Sequence, residues 1–187
     1  MVSVMSLWLP ILVSAVLVFV GSSVIHMVLR YHNTDYLKLP GEDEAMDALR
    51  RLNIPPGDYM MPRPGASGEM RTPEFIAKFN RGPVAMMTIM RPGPMSMGKN
   101  LSLWFVHAIV VSLFAGYVAS RALGPGAQYL DVFRFAGTTA FMGYSLGVIP
   151  FSIWYQRNWM TTFKSVFDGL VYACLTAGAF GWLWPAA

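Results

Sequence analysis

Residues 7–29 read LWLPILVSAVLVFVGSSVIHMVL, a run with no Lys, Arg, Asp or Glu. A helix needs about 20 predominantly apolar residues to cross the hydrocarbon core of a bilayer, which is about 30 Å thick. Three more apolar stretches of comparable length follow at about 101–120, 132–155 and 165–184. The sequence therefore predicts an all-α integral membrane protein, a bundle of four transmembrane helices.

Charge is scarce and unevenly distributed. Charged residues make up 13% of the chain, against about 25% in soluble domains. Ten of the 14 Lys/Arg and eight of the 10 Asp/Glu lie between residues 30 and 100. We therefore divide the chain into a first transmembrane helix (1–30), a loop of about 70 residues (31–100) and a segment of three transmembrane helices (101–187) that packs with the first. The mixed signs in the loop argue against nucleic acid and leave the lipid bilayer as the expected partner.

The distribution of basic residues predicts the orientation. Residues 1–6 carry no charged side chain and no cleavage pattern follows the first stretch, so we interpret it as a retained span rather than a signal peptide. With four spans, the long loop and the turn near 156–164 share one side of the membrane and hold most Lys/Arg. Cytoplasmic loops carry the excess of basic residues. We therefore expect a multi-pass protein of the inner (plasma) membrane with both termini on the non-cytoplasmic side.

Local patterns predict structure within the cytoplasmic loop. Residues 42–52 begin with acidic and end with basic side chains, which suits the dipole of a short helix. Thr72-Pro73 has the form of a helix start and Gly82 that of a stop. Residues 83–90 are apolar but far too short to span, so we expect a short strand or an interfacial segment there.

Small residues recur at four-residue intervals within the second to fourth spans. In lipid, such residues let helix backbones approach closely, within one subunit or between copies in a homo-oligomer. The predicted helix-packing positions are Ala108, Ser112, Gly116, Ser120, Gly143, Gly147, Gly169, Ala173, Ala177 and Gly181.

Ionisable residues within spans are the candidates for a site. His26, His107 and Asp168 all fall toward one membrane face, and His32 follows just outside the first span. Two histidines and a carboxylate can hold zinc or iron. His26 and His32 are six residues apart, so both could bind one metal only if the helix ended between them. The alternative is a local role for each residue, with Asp168 paired with Lys164 one turn earlier.

Three functions remain open on this basis. We favour a non-enzymatic accessory or scaffold subunit, whose cytoplasmic loop contacts a membrane-protein partner or the membrane surface. The first alternative is a membrane-embedded enzyme or redox component with a metal or haem at His26, His107 and Asp168, with His32 as a further ligand. The second is a small oligomeric transporter or channel. The chain has one cysteine and none of the common nucleotide-binding or nucleophile motifs, so no cofactor or substrate is predicted.

Overall fold

The chain folds into seven α-helices and one two-stranded sheet in the computed structural model, which describes residues 2–94 and 96–187. In chain order these are α1 (Trp8–Met27), α2 (Glu42–Arg51), β1 (Gly57–Met61), α3 (Pro73–Arg81), β2 (Ala85–Ile89), α4 (Met97–Ala122), α5 (Tyr129–Ser145), α6 (Ile149–Tyr155) and α7 (Trp159–Trp182). The elements form two compact units, residues 1–37 with 96–187 and residues 38–95. The protein is therefore mostly helical, as the sequence predicts.

Within the described residues, two helices are long and apolar enough to cross a membrane. They are Val4–Met27, of 24 residues including a 3-10 turn before α1, and α4, of 26 residues. α4 begins four residues before the apolar stretch, because Met97 to Asn100 extend the helix with a more polar turn. Length and composition thus identify two candidate membrane-spanning helices, at the first two apolar stretches.

The third apolar stretch is divided between two helices rather than forming one. α5 ends at Ser145, a 3-10 turn follows, and α6 starts with Pro150 in its first turn. Proline has no amide hydrogen to donate and its ring clashes with the preceding turn, so it is tolerated at a helix start but not in a helix interior. The third stretch is therefore interrupted just before Pro150, by the 3-10 turn Leu146–Val148.

The long helices of the first unit pack as a ring. α1 contacts α4 and α7, and α5 also contacts α4 and α7. Small residues make the close approaches: the Cα of Gly116 faces the Phe180 ring and that of Gly143 faces Val111. The Ser14 hydroxyl donates to the Ser112 hydroxyl at 2.9 Å between α1 and α4.

Most of the other predicted packing positions are also in contact. Ala108, Ser120 and Ala177 are fully buried and Ala173 nearly so. A side chain at Gly169 would meet Ser145, and one at Gly181 would meet Tyr129. At Gly147 there is open space.

The second unit contains the predicted loop helices. α2 has three acidic residues in its first turn and two arginines in its last. α3 is capped by Thr72, whose hydroxyl accepts a 3.2 Å hydrogen bond from the Phe75 amide. The apolar segment at 83–90 contains strand β2. This strand pairs antiparallel with β1, a strand that the sequence pattern did not predict.

Candidate metal centre

The candidate site is built on the turn that follows α1. The amides of Val28 and Leu29 still bond to the Val24 carbonyl, at 2.9 and 3.3 Å. Arg30 then takes a left-handed conformation with φ of 53°, which costs a non-glycine residue about 1–2 kcal/mol. Residues 31–34 continue as a 3-10 turn. The helix thus ends between His26 and His32, which is the condition under which both can face one site.

The two histidine rings are stacked against each other. Their centroids are 4.6 Å apart and their planes differ by 4°. The Nδ1 of His26 lies 2.9 Å from the Ser22 carbonyl oxygen, which can only accept, so Nδ1 carries the hydrogen. In a neutral imidazole the other nitrogen then has a free lone pair. Nε2 of His26 is therefore available as a metal ligand.

His32 is held between two carboxylates. Its Nδ1 lies 2.6 Å from Asp35 Oδ2, and its Nε2 lies 2.7 Å from Asp168 Oδ2. A neutral imidazole has only one N–H to donate, so it can satisfy one carboxylate and not both. At 2.7 Å the contact between His32 Nε2 and Asp168 Oδ2 has the length of a hydrogen bond, so a metal ion could take the place of the hydrogen only if the two atoms moved apart.

Lys164 fastens the turn from α7. Its Nζ donates to the Tyr31 carbonyl at 2.6 Å, to the Thr34 hydroxyl at 2.7 Å and to Asp35 Oδ1 at 2.9 Å. The local pair of Lys164 with Asp168 considered from the sequence is therefore replaced by contacts with the turn. The Tyr31 hydroxyl donates to Asp168 Oδ1, which leaves Oδ2 directed at His32.

Two groups of the turn have shifted pKa values. Burial raises the pKa of the Tyr31 hydroxyl, and the hydrogen bond to Asp168 and the charges of Asp168 and Asp35 raise it further. Burial also disfavours ionisation of Asp35, but the hydrogen bonds and charges of His32 and Lys164 outweigh it and lower the pKa of Asp35. Tyr31 is therefore held as a neutral donor and Asp35 as an anion.

Three potential metal ligands converge here. One ligand atom each of His26, His32 and Asp168 lie within 4.8 Å of one another. Zinc bonds of about 2.0–2.1 Å in tetrahedral geometry separate ligand atoms by about 3.4 Å. To bind zinc, ligand atoms up to 4.8 Å apart would close by about 1.4 Å, the His32 Nε2–Asp168 Oδ2 pair at 2.7 Å would open, and one of the two stacked rings would turn toward the ion. Asp168 is 4% exposed, whereas His26 is exposed. The site is thus anchored on the buried side and open on the His26 side.

The structure places His107 elsewhere on the bundle. Its ring centroid lies 5.5 Å from that of Trp104 and 5.8 Å from that of Tyr144. The Trp104 Nε1 in turn donates to the Ser22 hydroxyl at 2.8 Å. His107 therefore belongs to an aromatic layer with Trp104 and Tyr144. Ser22 connects this layer to the group of His26, His32 and Asp168, because it bonds to both Trp104 and His26.

No protein-family model, curated protein or solved structure matches this chain.

Proposed function

We propose that this chain is a multi-pass membrane protein that binds a divalent transition metal, Zn²⁺ or Fe²⁺, through His26, His32 and Asp168. The observation that carries the proposal is the convergence of these three ligand atoms within 4.8 Å. It is supported by the second nitrogen of each ring, which faces Ser22 O in His26 and Asp35 in His32. Metal-binding histidines usually have their other N–H held in this way, by a carbonyl or a carboxylate.

Two nitrogens and one oxygen suit a catalytic ion. Catalytic zinc keeps three protein ligands and leaves a position for water, whose pKa it lowers to about 7. Two histidines and one carboxylate are also the ligands of non-haem Fe(II) sites. Haem fits less well, because the two rings stack side by side rather than pointing at one iron from opposite faces. Metal-dependent chemistry at a membrane face is thus the function that the geometry supports best.

The proposed topology has four spans, formed by α1, α4, α5 with α6, and α7. It puts both termini on the non-cytoplasmic side of the inner membrane, because the long loop and the 156–164 turn hold 12 of the 14 Lys/Arg. The metal site then lies at the cytoplasmic face. A reporter that is active only in the cytoplasm should be inactive when fused after Ala187, and an active fusion would overturn this orientation.

Metal analysis of the purified full-length protein tests the site. After reconstitution with Zn²⁺ or Fe²⁺ and removal of free metal, the wild type should retain about one ion per chain. The variants His26→Ala, His32→Ala and Asp168→Ala should each lose it. The third histidine of the chain, His107, offers a matched control, and His107→Ala should retain the ion. Retention by all three site variants, or no ion in the wild type, would contradict the proposal.

A second candidate is an accessory or scaffold role for residues 38–95. The observation that favours it is an exposed apolar pair on the hairpin, Met60 and Met86, which face each other across the strands and are 40% and 49% exposed. Proteins that copurify with the wild type should be lost from the variant with Met60→Glu and Met86→Glu. The same proteins on both would count against this role.

A further inference from the structure

A groove of about 330 Å³ runs between α5 and α7, outside the candidate metal centre. Such a volume is at the lower end of the range for small-molecule sites. The side chains that matter here are Phe133, Arg134, Thr138 and Phe141 from α5 and Cys174 from α7.

The groove exists because small residues bring the two helices together between larger ones. A Cβ built on Gly137 would lie 3.0 Å from the Ala177 Cβ, and Ala173 is 3% exposed. Phe133 and Phe141, one turn to either side of Gly137, stand out from this close approach. The result is an apolar trough with an aromatic ring at each end.

Its one ionised lining residue is a cation at the end nearer the start of α5. Arg134 follows Tyr129, the first residue of α5, by five positions, which is about 7.5 Å along the axis. Its side chain is 70% exposed and makes one ion pair, with Asp131 at 3.3 Å. A guanidinium has five N–H donors, so most remain available. The Thr138 hydroxyl lies one turn further into the groove.

We propose that this groove binds an anionic membrane lipid, with an acyl chain along Phe133 and Phe141 and the acidic headgroup on Arg134. With α5 inserted in the membrane, Arg134 would lie at the level of the headgroups, and the apolar trough continues away from it, so the charge and the apolar surface both match this lipid. A long side chain near a helix end in a membrane reaches to the interface, which is where the phosphate of a lipid would meet it. The proposal rests on the membrane insertion of α5 and α7 and is independent of the metal site.

The groove contains its own reporter. Cys174 is the one cysteine of the chain and it is exposed in the groove. The test measures its alkylation by N-ethylmaleimide in the full-length protein, reconstituted in nanodiscs of phosphatidylcholine alone or mixed with phosphatidylglycerol. The anionic lipid should slow alkylation by about threefold to fivefold, the most that one exposed ion pair contributes.

Four variants make the test specific. Arg134→Gln should abolish the difference between the two bilayers, whereas Arg121→Gln, on α4, should keep it. Asp131→Asn should enlarge the difference, because the competing carboxylate is gone. A cysteine at the lipid-exposed position 114, in the protein with Cys174→Ala and Phe114→Cys, reports how the anionic bilayer alters maleimide reactivity in general.

Each remaining outcome counts against the inference. Equal alkylation rates in the two bilayers, after the correction from position 114, would overturn it, and so would a difference that survives Arg134→Gln. Rapid labelling of Cys174 by a charged maleimide that does not enter bilayers would instead show that α7 is not inserted, which also contradicts the four-span topology. Neither result bears on the metal content of the protein, so the lipid proposal and the metal proposal can be contradicted separately.

Discussion

The His26–His32 pair and His107 start from the same kind of sequence and reach different environments. Each histidine lies in or beside an apolar helix, but His32 is held by two carboxylates, whereas His107 faces the rings of Trp104 and Tyr144. The difference comes from what meets each residue. The turn after α1 meets Asp168 and Lys164 of α7, and α4 at His107 meets aromatic side chains. A histidine becomes a potential ligand through the side chains around it, whether they come from its own helix, as Trp104 does for His107, or from another helix, as Asp168 does for His32.

Lys164→Met should break this comparison most strongly, because it removes the three hydrogen bonds that Lys164 donates to the turn. We expect a loss of about 1.5–3 kcal/mol in unfolding free energy. Metal affinity should fall by about tenfold, the lower end of the cost of losing a group bonded directly to a ligand, because Lys164 reaches His32 only through Asp35. Thermal unfolding in detergent and competition with a metal chelator measure the two effects. Lys99→Met, at the start of α4, is the control and should change neither. Unaltered metal affinity in Lys164→Met would mean that the turn after α1 keeps its conformation without Lys164.

The role of Lys164 also marks the limit of what could be predicted from the sequence about the site. Counting from the predicted span ends put His26, His107 and Asp168 toward one membrane face. The structure brings ligand atoms of His26 and Asp168 within 4.8 Å of each other, whereas His107 lies against Trp104 and Tyr144. The left-handed Arg30 was not predictable, because nothing distinguishes it from an arginine that simply ends a helix. Without knowledge of that turn, the nearest acid to Lys164 in the sequence is Asp168, and nothing indicates its contacts with Tyr31 and Asp35. Tyr31 and Asp35 were therefore not predicted as part of the site.

A substitution of intermediate effect is Gly169→Ala, next to Asp168. Its Cβ would overlap the Ser145 hydroxyl and lie 3.2 Å from the Tyr144 carbonyl carbon, so α7 must move away from α5. Overpacking of this kind typically costs about 1–3 kcal/mol, and it should disturb both histidine environments because Tyr144 packs on His107. Gly147→Ala enters open space and serves as the control. Equal thermal stability of the two variants would contradict close α5–α7 packing at this point.

The fold was more predictable from the sequence than the site, for physical reasons. Hydropathy located the two candidate spans, and capping chemistry at Thr72 located α3, because both are local properties. Strand β1 depends on β2, which begins 28 residues after β1 starts, and its sequence GDYMM has no alternation of its own. The 3-10 turn between α5 and α6 was not predictable from Pro150, because a proline indicates a kink but does not specify the turn before it.

Ser22→Ala should have the smallest effect. Ser22 bonds to both histidine environments, and this substitution removes its bond to only one of them. The Ser22 hydroxyl accepts from Trp104 Nε1 at 2.8 Å, on the side of His107, whereas its backbone carbonyl accepts from His26 at 2.9 Å. Alanine removes the hydroxyl and keeps the carbonyl. We therefore expect about 1 kcal/mol less stability, since hydrogen bonds between membrane helices contribute about 0.6 kcal/mol on average and at most about 1.7. Metal affinity should be unchanged.

Ser23→Ala loses only a bond to the Phe19 carbonyl within α1 and is the matched control. A fall in metal affinity with Ser22→Ala alone would mean that the aromatic layer around Trp104 helps to position His26, and the contrast between the two environments would then no longer hold.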